Sequence, residues 1–308
     1  MDLLFDTHAH LISDDWDTYP PRPLAPGLPV PARTSYNVTA ESLIGMMDAH
    51  QVTTSCVVQR GHLYGHDNSY IIEAARRFPG RLLPVVILDT QDPATPDTLA
   101  RLASQRLVAG LRMANTRPSQ LDTDWMASTA TLKVWKACEQ LRLPVAIIFF
   151  QNQLAWTLPL LREIARGFPD LPVLIDHLGI PWGASLPELA WAREAGIMTA
   201  MPPPPDYGID STIRLLADTP NIHFKFTEIN VERMQEGGVD PADVARRMVE
   251  RFGAGRICWG SDVGQSLAWP YADKIAHAHA AARLLDAGER RQFLHGTAAR
   301  IYAGTQAS

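Results

Sequence analysis

Residues 3–10 of the chain read Leu-Leu-Phe-Asp-Thr-His-Ala-His, an apolar run whose last positions alternate with polar side chains. Successive side chains of an extended strand point to opposite faces, so Asp6, His8 and His10 are predicted to share one face. An apolar strand that ends in polar residues is typical of a barrel strand whose carboxyl end reaches a functional site. We therefore expect these side chains to project into the mouth of a barrel.

The same kind of short apolar run recurs along the chain and alternates with longer helical patterns. The predicted strands are Leu3–His8, Thr53–Gln59, Leu82–Leu88, Val108–Met113, Pro144–Gln151, Pro172–His177, Ile222–Glu228 and Arg256–Ser261. The predicted helices are Ala40–His50, Ser69–Phe78, Asp97–Gln105, Leu132–Leu141, Leu158–Phe168, Leu186–Ala195, Pro241–Phe252 and Tyr271–Ala287. Eight strand–helix units favour a single (β/α)8 barrel domain over residues 1–308 rather than a doubly wound sheet. A further run, Ile197–Met201, has the context of a loop.

Proline is over-represented, with 24 residues in 308 against an average usage of about 5%. Six prolines lie between Pro20 and Pro31, and four form the run Pro202–Pro205. Such tracts prefer extended loops, and both follow strands that carry candidate site residues. We therefore predict long proline-rich βα loops that border the site.

Composition narrows the class of protein. The 308 residues are 46% hydrophobic and 20% charged, with a net charge of −5 and no acidic or basic blocks, so neither nucleic acid nor a membrane surface is an expected partner. The longest apolar run is too short to cross a bilayer, and the start lacks a basic leader pattern. The cysteines at 56, 138 and 258 lie in apolar stretches without metal-site spacing. These features predict a cytoplasmic protein.

Polar residues interrupt three strands at their ends, and together they suggest one centre. His8 and His10 end the first strand, His177 ends the sixth, and Asp262 follows the eighth. Paired imidazoles in an apolar setting are typical ligands of a divalent metal, and a carboxylate can ligate a metal and accept a proton. The alternatives are hydrogen-bonded core histidines and a helix-capping aspartate. The joint pattern favours a mononuclear metal site.

A second His-Ala-His sequence at His277–His279 lies inside an alanine-rich helical pattern. Residues two apart on a helix face in roughly opposite directions and cannot chelate one ion. We therefore expect no function for this pair.

Three segments resemble the amidohydrolase superfamily: Asp-Thr-His-Ala-His at 6–10, Ile-Asp-His-Leu-Gly-Ile-Pro at 175–181, and Trp-Gly-Ser-Asp at 259–262. More narrowly, the chain is similar to the amidohydrolase-related branch that contains 2-pyrone-4,6-dicarboxylate lactonase and lactonases for sugar acids. The segments at 57–59, 64–69, 110–112, 220–225 and 296–302 also match, so the resemblance spans nearly the whole chain. It implies a TIM-type barrel with an active site at its mouth.

The resemblance also implies roles for individual residues. His8, His10, His177 and Asp262 match the set that binds a divalent metal or polarises the carbonyl group, with Asp262 activating water. Further candidates for contact with the substrate are Arg112, Arg117, Tyr64 and His66. Arg112 matches an arginine that binds a substrate carboxylate, which suits its planar fork, although an ion pair is the alternative. Arg117 lies one residue away from the position that would match a second arginine of the family. A homodimer is a family-level expectation.

The chain departs from the lactonases after Lys225-Phe226, where a Ser-Gly pair and an arginine are usual. Here the sequence is Thr-Glu-Ile-Asn at 227–230, and Arg233 is displaced. Glu228 is either a further acid or base at the mouth, in contact with substrate, or a counter-ion for Lys225. The stretch from 195 to 211 has no counterpart in the lactonase pattern. The substrate and its charge therefore stay open.

These observations predict a hydrolase that opens a lactone or related cyclic ester of a small carboxylic acid. The expected cofactor is a divalent metal, with zinc as the first candidate. A metal-free scheme, in which the histidines donate hydrogen bonds to the carbonyl oxygen, also fits the same residues. The alternative activity is non-oxidative decarboxylation of an aromatic or muconate-type acid. That group typically adds a histidine beyond the middle one, and here the candidate is His223, early in a strand.

Overall fold

The computed structural model describes residues 2–24, 38–114, 124–148, 154–179, 204–266 and 269–306. Within these ranges eight parallel strands form one sheet in sequence order. The strands are Leu4–Ala9 (β1), Val52–Val58 (β2), Leu82–Val86 (β3), Gly110–Ala114 (β4), Val145–Ile148 (β5), Val173–Ile175 (β6), Ile222–Thr227 (β7) and Ile257–Gly260 (β8). The sheet is nearly closed, and helices alternate with the strands. This confirms the predicted (β/α)8 barrel.

The first and last strands meet at their carboxyl ends. Ala9 pairs with Val263 in a parallel bridge, and the backbone N–H of Asp262 donates to the His8 carbonyl at 2.6 Å. The peptide N–H of His10 donates to the Val263 carbonyl at 2.8 Å. The segment that follows β8 is therefore fixed beside the two histidines of β1.

This junction leaves no room for a side chain on Gly260. A Cβ atom placed there would lie 2.7 Å from the Cβ of His8 and 3.0 Å from its backbone nitrogen. Real Cβ atoms do not approach other carbons so closely, so glycine permits the contact between β8 and β1. The position of His8 thus depends on the absence of a side chain at Gly260.

The α-helices within the described ranges include several very short ones. They are Ala40–Ala49 (α1), Gly61–Tyr64 (α2), Ser69–Arg77 (α3), Thr95–Ser104 (α4), Thr129–Leu141 (α5), Leu154–Gly167 (α6), Glu228–Glu236 (α7), Pro241–Phe252 (α8), Tyr271–Ala281 (α9), Ala287–Arg291 (α10) and Thr297–Gln306 (α11). None of the helices that could be described is long and apolar enough to cross a membrane.

Local sequence explains where helices begin and end. Helix α8 follows Asp240, whose side chain accepts a hydrogen bond from the N–H of Ala242 at 3.0 Å, and it has proline in its first turn. It stops at Gly253, whose positive φ of 86° suits glycine. Its buried residues recur every three or four positions along one face, which packs on the sheet.

The eight strands lie where the sequence predicts them, within a few residues at each end. Four α-helices were not predicted. Helix α2 lies in the segment between the second predicted strand and the next predicted helix, and α7 begins at Glu228, which was predicted to end a strand. Helices α10 and α11 follow the last predicted helix. The predicted helix at 186–195 and the apolar run at 197–201 lie outside the described residues. The three cysteines, which lie in apolar stretches of the sequence, are buried free thiols.

The predicted proline-rich loops are described only at their edges. In the first tract, Arg22 and Leu24 donate backbone hydrogen bonds to the carbonyls of Leu63 and Gly61, so this edge lies against α2. In the second, the Pro205 carbonyl accepts a hydrogen bond from Arg247 on α8 at 2.6 Å. Residues 25–37 and 180–203, which include the other prolines of both tracts, lie outside the described ranges.

Candidate metal centre at the barrel mouth

Three predicted site residues converge at the carboxyl ends of β1 and β8. The ligand atoms of His8, His10 and Asp262 lie within 4.8 Å of one another, and all three residues are buried. The Nε2 atoms of both histidines lie 3.5 Å from Oδ1 of Asp262. Two ligand atoms bound at about 2.1 Å to one tetrahedral zinc ion would lie about 3.4 Å apart. The spacing of this group therefore fits a divalent metal.

Both histidines are neutral, and a hydrogen bond holds His10 in the tautomer that a metal ligand needs. Nδ1 of His10 lies 2.7 Å from the Val58 carbonyl, to which it donates, so Nε2 carries the lone pair. Nε2 of His8 makes no hydrogen bond to any part of the chain that the structure describes. Burial holds the pKa of His8 and His10 well below the usual value of 6.5. The cations Arg112 and Arg60 lower that of His10 further. Both rings are thus neutral at neutral pH.

His177 lies beside this group, with its ring centre 4.9 Å from that of His8. Its ligand atoms are not part of the 4.8 Å cluster. Nδ1 of His177 lies 2.7 Å from the hydroxyl oxygen of Thr227, which is 3.3 Å from the Asn230 side-chain oxygen. Since Thr227 donates to Asn230, it accepts from Nδ1, and Nε2 of His177 is unprotonated. Burial lowers the pKa of this ring as well.

Strained backbone conformations mark the positions of these residues. His177 has φ 53°, and Asp262 has φ 52°, both in the left-handed region that non-glycine residues rarely adopt. The Asn230 side chain donates to the His177 carbonyl at 2.9 Å, which helps to hold the first of these turns. Such strain persists where surrounding contacts fix it, and it is common at functional sites.

Asp6 has a supporting position rather than a place in the cluster. Its carboxylate accepts hydrogen bonds from the N–H of Ser261 at 2.8 Å, from the Ser261 hydroxyl at 2.6 Å and from the Tyr271 hydroxyl at 3.1 Å. Burial raises the pKa of Asp6, and these donors oppose the rise. Because Ser261 precedes Asp262, Asp6 fixes the segment that carries the candidate base.

A buried cluster of charges that was not predicted from the sequence lies behind His8. Asp176 accepts a hydrogen bond from Nε of Arg112 at 2.9 Å, and Nζ of Lys225 lies 3.0 Å from its other oxygen. Lys225 also lies 3.4 Å from Nδ1 of His8. Burial alone would raise the pKa of Asp176, but Lys225, His8 and Arg112 together hold it well below the usual value. The signal available in the sequence was a lysine within an apolar strand and an aspartate at a strand end.

This cluster bears on two predictions. Nε of Arg112 is engaged by Asp176, which is the ion pair considered as the alternative, whereas its two terminal nitrogens take no part in that hydrogen bond. Lys225 has Asp176 as its ion-pair partner, so the structure gives Glu228 other partners.

Glu228 is fully buried and forms a short hydrogen bond with a residue that was expected to have no function. Its Oε1 lies 2.5 Å from Nδ1 of His277 on α9. The expectation that His277 and His279 do not share one ion is unaffected, because only His277 reaches this carboxylate. His277 and His279 point to different sides of α9. Nothing in the sequence pattern predicts a contact between α7 and α9.

Arg233 is a second buried group on α7, with 6% of its surface exposed. One terminal nitrogen donates to Glu236 at 2.6 Å, while Nε and the other terminal nitrogen have no hydrogen-bond partner within the described residues. These two donors form the edge of the guanidinium that binds a carboxylate in two parallel hydrogen bonds. From the sequence, Arg233 was predicted only to be displaced from the family position.

The other substrate-contact candidates are dispersed. Tyr64 is buried on α2, and its hydroxyl accepts a hydrogen bond from the N–H of Ser13 at 3.0 Å, so it holds the loop after β1. His66 is exposed just beyond that helix. Arg117 lies outside the described residues.

The sequence profile of a family described as amidohydrolase matches residues 5–304. The chain belongs to the amidohydrolase family. This agrees with the resemblance found in its motifs. A comparison with curated proteins finds no match.

Solved structures of low sequence identity share the fold over nearly their whole length. One is a probable 2-pyrone-4,6-dicarboxylic acid hydrolase of Acinetobacter baumannii with citric acid bound, with 21% identity, 98% of this chain and 100% of that chain covered, and a TM-score of 0.69. Another is an amidohydrolase of Burkholderia multivorans with bound zinc, with 20% identity, coverages of 98% and 99%, and a TM-score of 0.68. A dihydroxybenzoic acid decarboxylase of a Polaromonas species, with bound manganese, has 15% identity, coverages of 100% and 98%, and a TM-score of 0.65.

Proposed function

We propose that the protein is a hydrolase that opens a lactone or related cyclic ester of a small carboxylic acid. The observation that carries the proposal is the approach of His8 and His10 to the same carboxylate oxygen of Asp262, at 3.5 Å, at the mouth of the barrel. A carboxylate between two neutral imidazoles provides both metal ligands and a proton acceptor in one place. The similarity to a probable pyrone-dicarboxylic acid hydrolase supports this choice of reaction.

His8, His10 and Asp262 would hold a divalent metal, with His177 as a proposed additional ligand. Such an ion supplies Lewis-acid polarisation of the substrate carbonyl and activation of water at neutral pH. Zinc is our first candidate for the metal, because the Burkholderia neighbour binds it, and manganese is the other ion found among the neighbours.

The proton chemistry belongs to Asp262. Its carboxylate accepts one proton of the attacking water and returns it to the ring oxygen when the ester bond breaks, and the carboxylic acid that forms then ionises and releases one proton to solvent. The hydrogen bonds from Ser261 and Tyr271 to Asp6 keep the backbone of this segment in place during both transfers.

The substrate carboxylate would be bound by arginine. The terminal nitrogens of Arg112 are not used in its hydrogen bond to Asp176, and they can form charge-assisted hydrogen bonds to an anion. Tyr64 and His66 are proposed as walls of the pocket, and Arg117 stays a prediction. The buried free thiols are consistent with the proposed reducing, cytoplasmic location.

Decarboxylation of an aromatic acid is the second candidate. His223, the expected extra histidine, lies early in β7, and its Nδ1 is 3.0 Å from the Asn221 carbonyl, at the opposite end of the strand from the site. The observation in favour of this reaction is His277, which brings an imidazole to Glu228 immediately after β7. We rank it second because Asp262 and the two histidines account for hydrolysis without this pair.

A substrate panel separates the two reactions. The purified chain is incubated with 2-pyrone-4,6-dicarboxylate, with sugar-acid lactones and with 2,6-dihydroxybenzoate, and acid release and carbon dioxide release are followed in parallel. We expect acid release from a lactone without carbon dioxide. Carbon dioxide release from the benzoate, with no lactone opened, would replace the hydrolase proposal by the decarboxylase.

A further inference from the structure

Glu228 is a buried carboxylate with one oxygen available. It is the first residue of α7, directly after β7, so it lies at the end of the barrel where Asp262 is found. The side chain has no exposed surface, and Oε1 is bound by Nδ1 of His277. Its other oxygen, Oε2, is buried and has no hydrogen-bond partner in the described parts of the chain. A buried acceptor without a partner is unfavourable, so a ligand that supplies a donor there gains affinity.

Two cationic neighbours of Glu228 partly offset the effect of its burial. Burial raises its pKa, as does the nearby Asp262, while Lys274 and His277 oppose the rise. Lys274 is itself buried on α9, and its Nζ donates to the Ser266 carbonyl at 3.1 Å. Glu232, one turn along α7, is a further acidic neighbour of Lys274. Glu228 is also in the first turn of its helix, where a negative charge is stabilised.

His277 holds this carboxylate in one orientation. Its ring packs edge-on against Trp269, with 4.8 Å between the ring centres, and 22% of its side chain is exposed. With the ring fixed by Trp269, the Nδ1–H donor determines which oxygen of Glu228 is occupied. Oε2 is then the oxygen that can accept a hydrogen bond from a ligand.

We propose that Glu228 is a specificity-determining residue whose Oε2 accepts a hydrogen bond from a hydroxyl of the substrate, so that the preferred substrate is a hydroxylated lactone with at most one carboxylate. The inference rests on the proposed lactone hydrolysis and selects among its substrates. His277 acts through Glu228 and is a positioning residue.

Two physical effects give the selectivity. A substrate without a hydroxyl at this point leaves a buried acceptor unpaired, and sites built to bind a hydroxyl discriminate strongly against analogues that lack it. A substrate with a second carboxylate near Glu228 meets like-charge repulsion in a water-poor site. Both effects disfavour a flat dicarboxylate such as 2-pyrone-4,6-dicarboxylate and favour a sugar-derived lactone.

The test compares two lactones in one set of variants. D-Glucaro-1,4-lactone carries hydroxyls and one carboxylate, and 2-pyrone-4,6-dicarboxylate carries two carboxylates and no hydroxyl. We expect the wild-type chain to favour the first in kcat/KM by at least about tenfold, which corresponds to one well-placed hydrogen bond. Glu228→Gln, nearly isosteric but uncharged, should reduce this ratio by about tenfold or more. A purely structural role would lower both values together and leave the ratio unchanged.

The chain offers a matched control for the positioning residue. His277→Gln should lower the ratio by several-fold because Glu228 loses its fixed orientation, whereas His279→Gln, on the same helix two residues away, should leave it unchanged. The inference is overturned if the wild type prefers the dicarboxylate, if Glu228→Gln does not change the ratio, or if the two histidine variants behave alike.

A binding experiment separates failure of this inference from failure of the proposed function. Calorimetry with D-gluconate, which has hydroxyls and one carboxylate, and with tricarballylate, which has three carboxylates and no hydroxyl, requires no turnover. If neither lactone is opened, the hydrolase proposal fails, but a preference for gluconate that falls in Glu228→Gln still supports the inference. Absence of gluconate binding, or an unchanged preference in the variant, overturns it.

Discussion

The pattern His-Ala-His occurs twice in this chain, once on a strand and once on a helix, and the two copies behave differently. On β1, His8 and His10 point to the same side, and their Nε2 atoms lie 3.5 Å from one oxygen of Asp262. On α9, two residues differ by about 200° of rotation, so only His277 reaches Glu228. The same three residues bring two imidazoles to one carboxylate oxygen on the strand and only one imidazole to a carboxylate on the helix. The backbone period decides which chemistry a motif can support.

Removing the negative charge of Asp262, which lies beside His8 and His10, should have the largest effect, and it should appear in kcat. Asp262→Asn keeps the shape of the side chain but cannot accept the proton of water, so kcat for the lactone substrate should fall by about 10²–10⁴-fold. Thermal unfolding should show that the fold is retained. Unchanged turnover would remove Asp262 from the mechanism.

The buried charges behind the β1 site should matter chiefly for stability. Asp176→Asn leaves Lys225 and Arg112 without their counter-charge, which should lower the free energy of unfolding by roughly 3–5 kcal/mol. Asp218→Asn removes an exposed partner of Arg162 and is the matched control, with little expected change. Equal urea midpoints for the two variants would argue against a stabilising role for the buried cluster.

Gly260 tests the close approach that places His8. Gly260→Ala introduces a Cβ atom 2.7 Å from the Cβ of His8, and overpacking of this kind costs typically about 1–3 kcal/mol. Gly45→Ala, in the middle of α1 with no atom within 4 Å of the added Cβ, should instead stabilise the chain slightly. Urea unfolding of both variants checks the sign of each change. A neutral Gly260→Ala would mean that β1 and β8 can separate at no cost.

The smallest expected effect is a change in how the stability of the fold depends on pH. Burial lowers the pKa of His10 in the folded chain, whereas in the unfolded chain it titrates near 6.5. The unfolded state therefore binds more protons below this pH, and stability falls as the pH drops through and below about 6.5. His10→Gln removes this contribution, so its urea midpoint should fall less between pH 7.5 and pH 5.5 than that of the wild type. Parallel falls would show that His10 is not buried in the neutral form.

The barrel and the convergence of His8, His10 and Asp262 were predictable because they depend on local periodicity. Continuous apolar runs identify strands covered on both faces, and polar residues at their ends identify the mouth, which locates His8, His10 and Asp262. The charge cluster of Arg112, Asp176 and Lys225 was missed because its members come from β4, from the residue directly after β6 and from β7. Nothing in their sequence spacing indicates that they pair.

The contact of Glu228 with His277 was missed for a related reason. It joins helices α7 and α9 across 49 residues, and α7 itself begins where a strand was predicted to continue. The rule that helical residues two apart face differently correctly excludes a shared ion. It leaves open that one of the two histidines meets a carboxylate on another helix, which only tertiary packing determines.

The central claim is that the strand copy of His-Ala-His, with Asp262, binds a divalent metal required for lactone hydrolysis. The most direct test is a titration of the metal-free chain with zinc and with manganese, for the wild type, His10→Gln and His279→Gln. Lactone turnover is measured at each metal-to-chain ratio. We expect one metal per chain and metal-dependent turnover for the wild type and His279→Gln, and loss of both for His10→Gln. Full turnover without metal, or wild-type metal affinity in His10→Gln, would contradict the account.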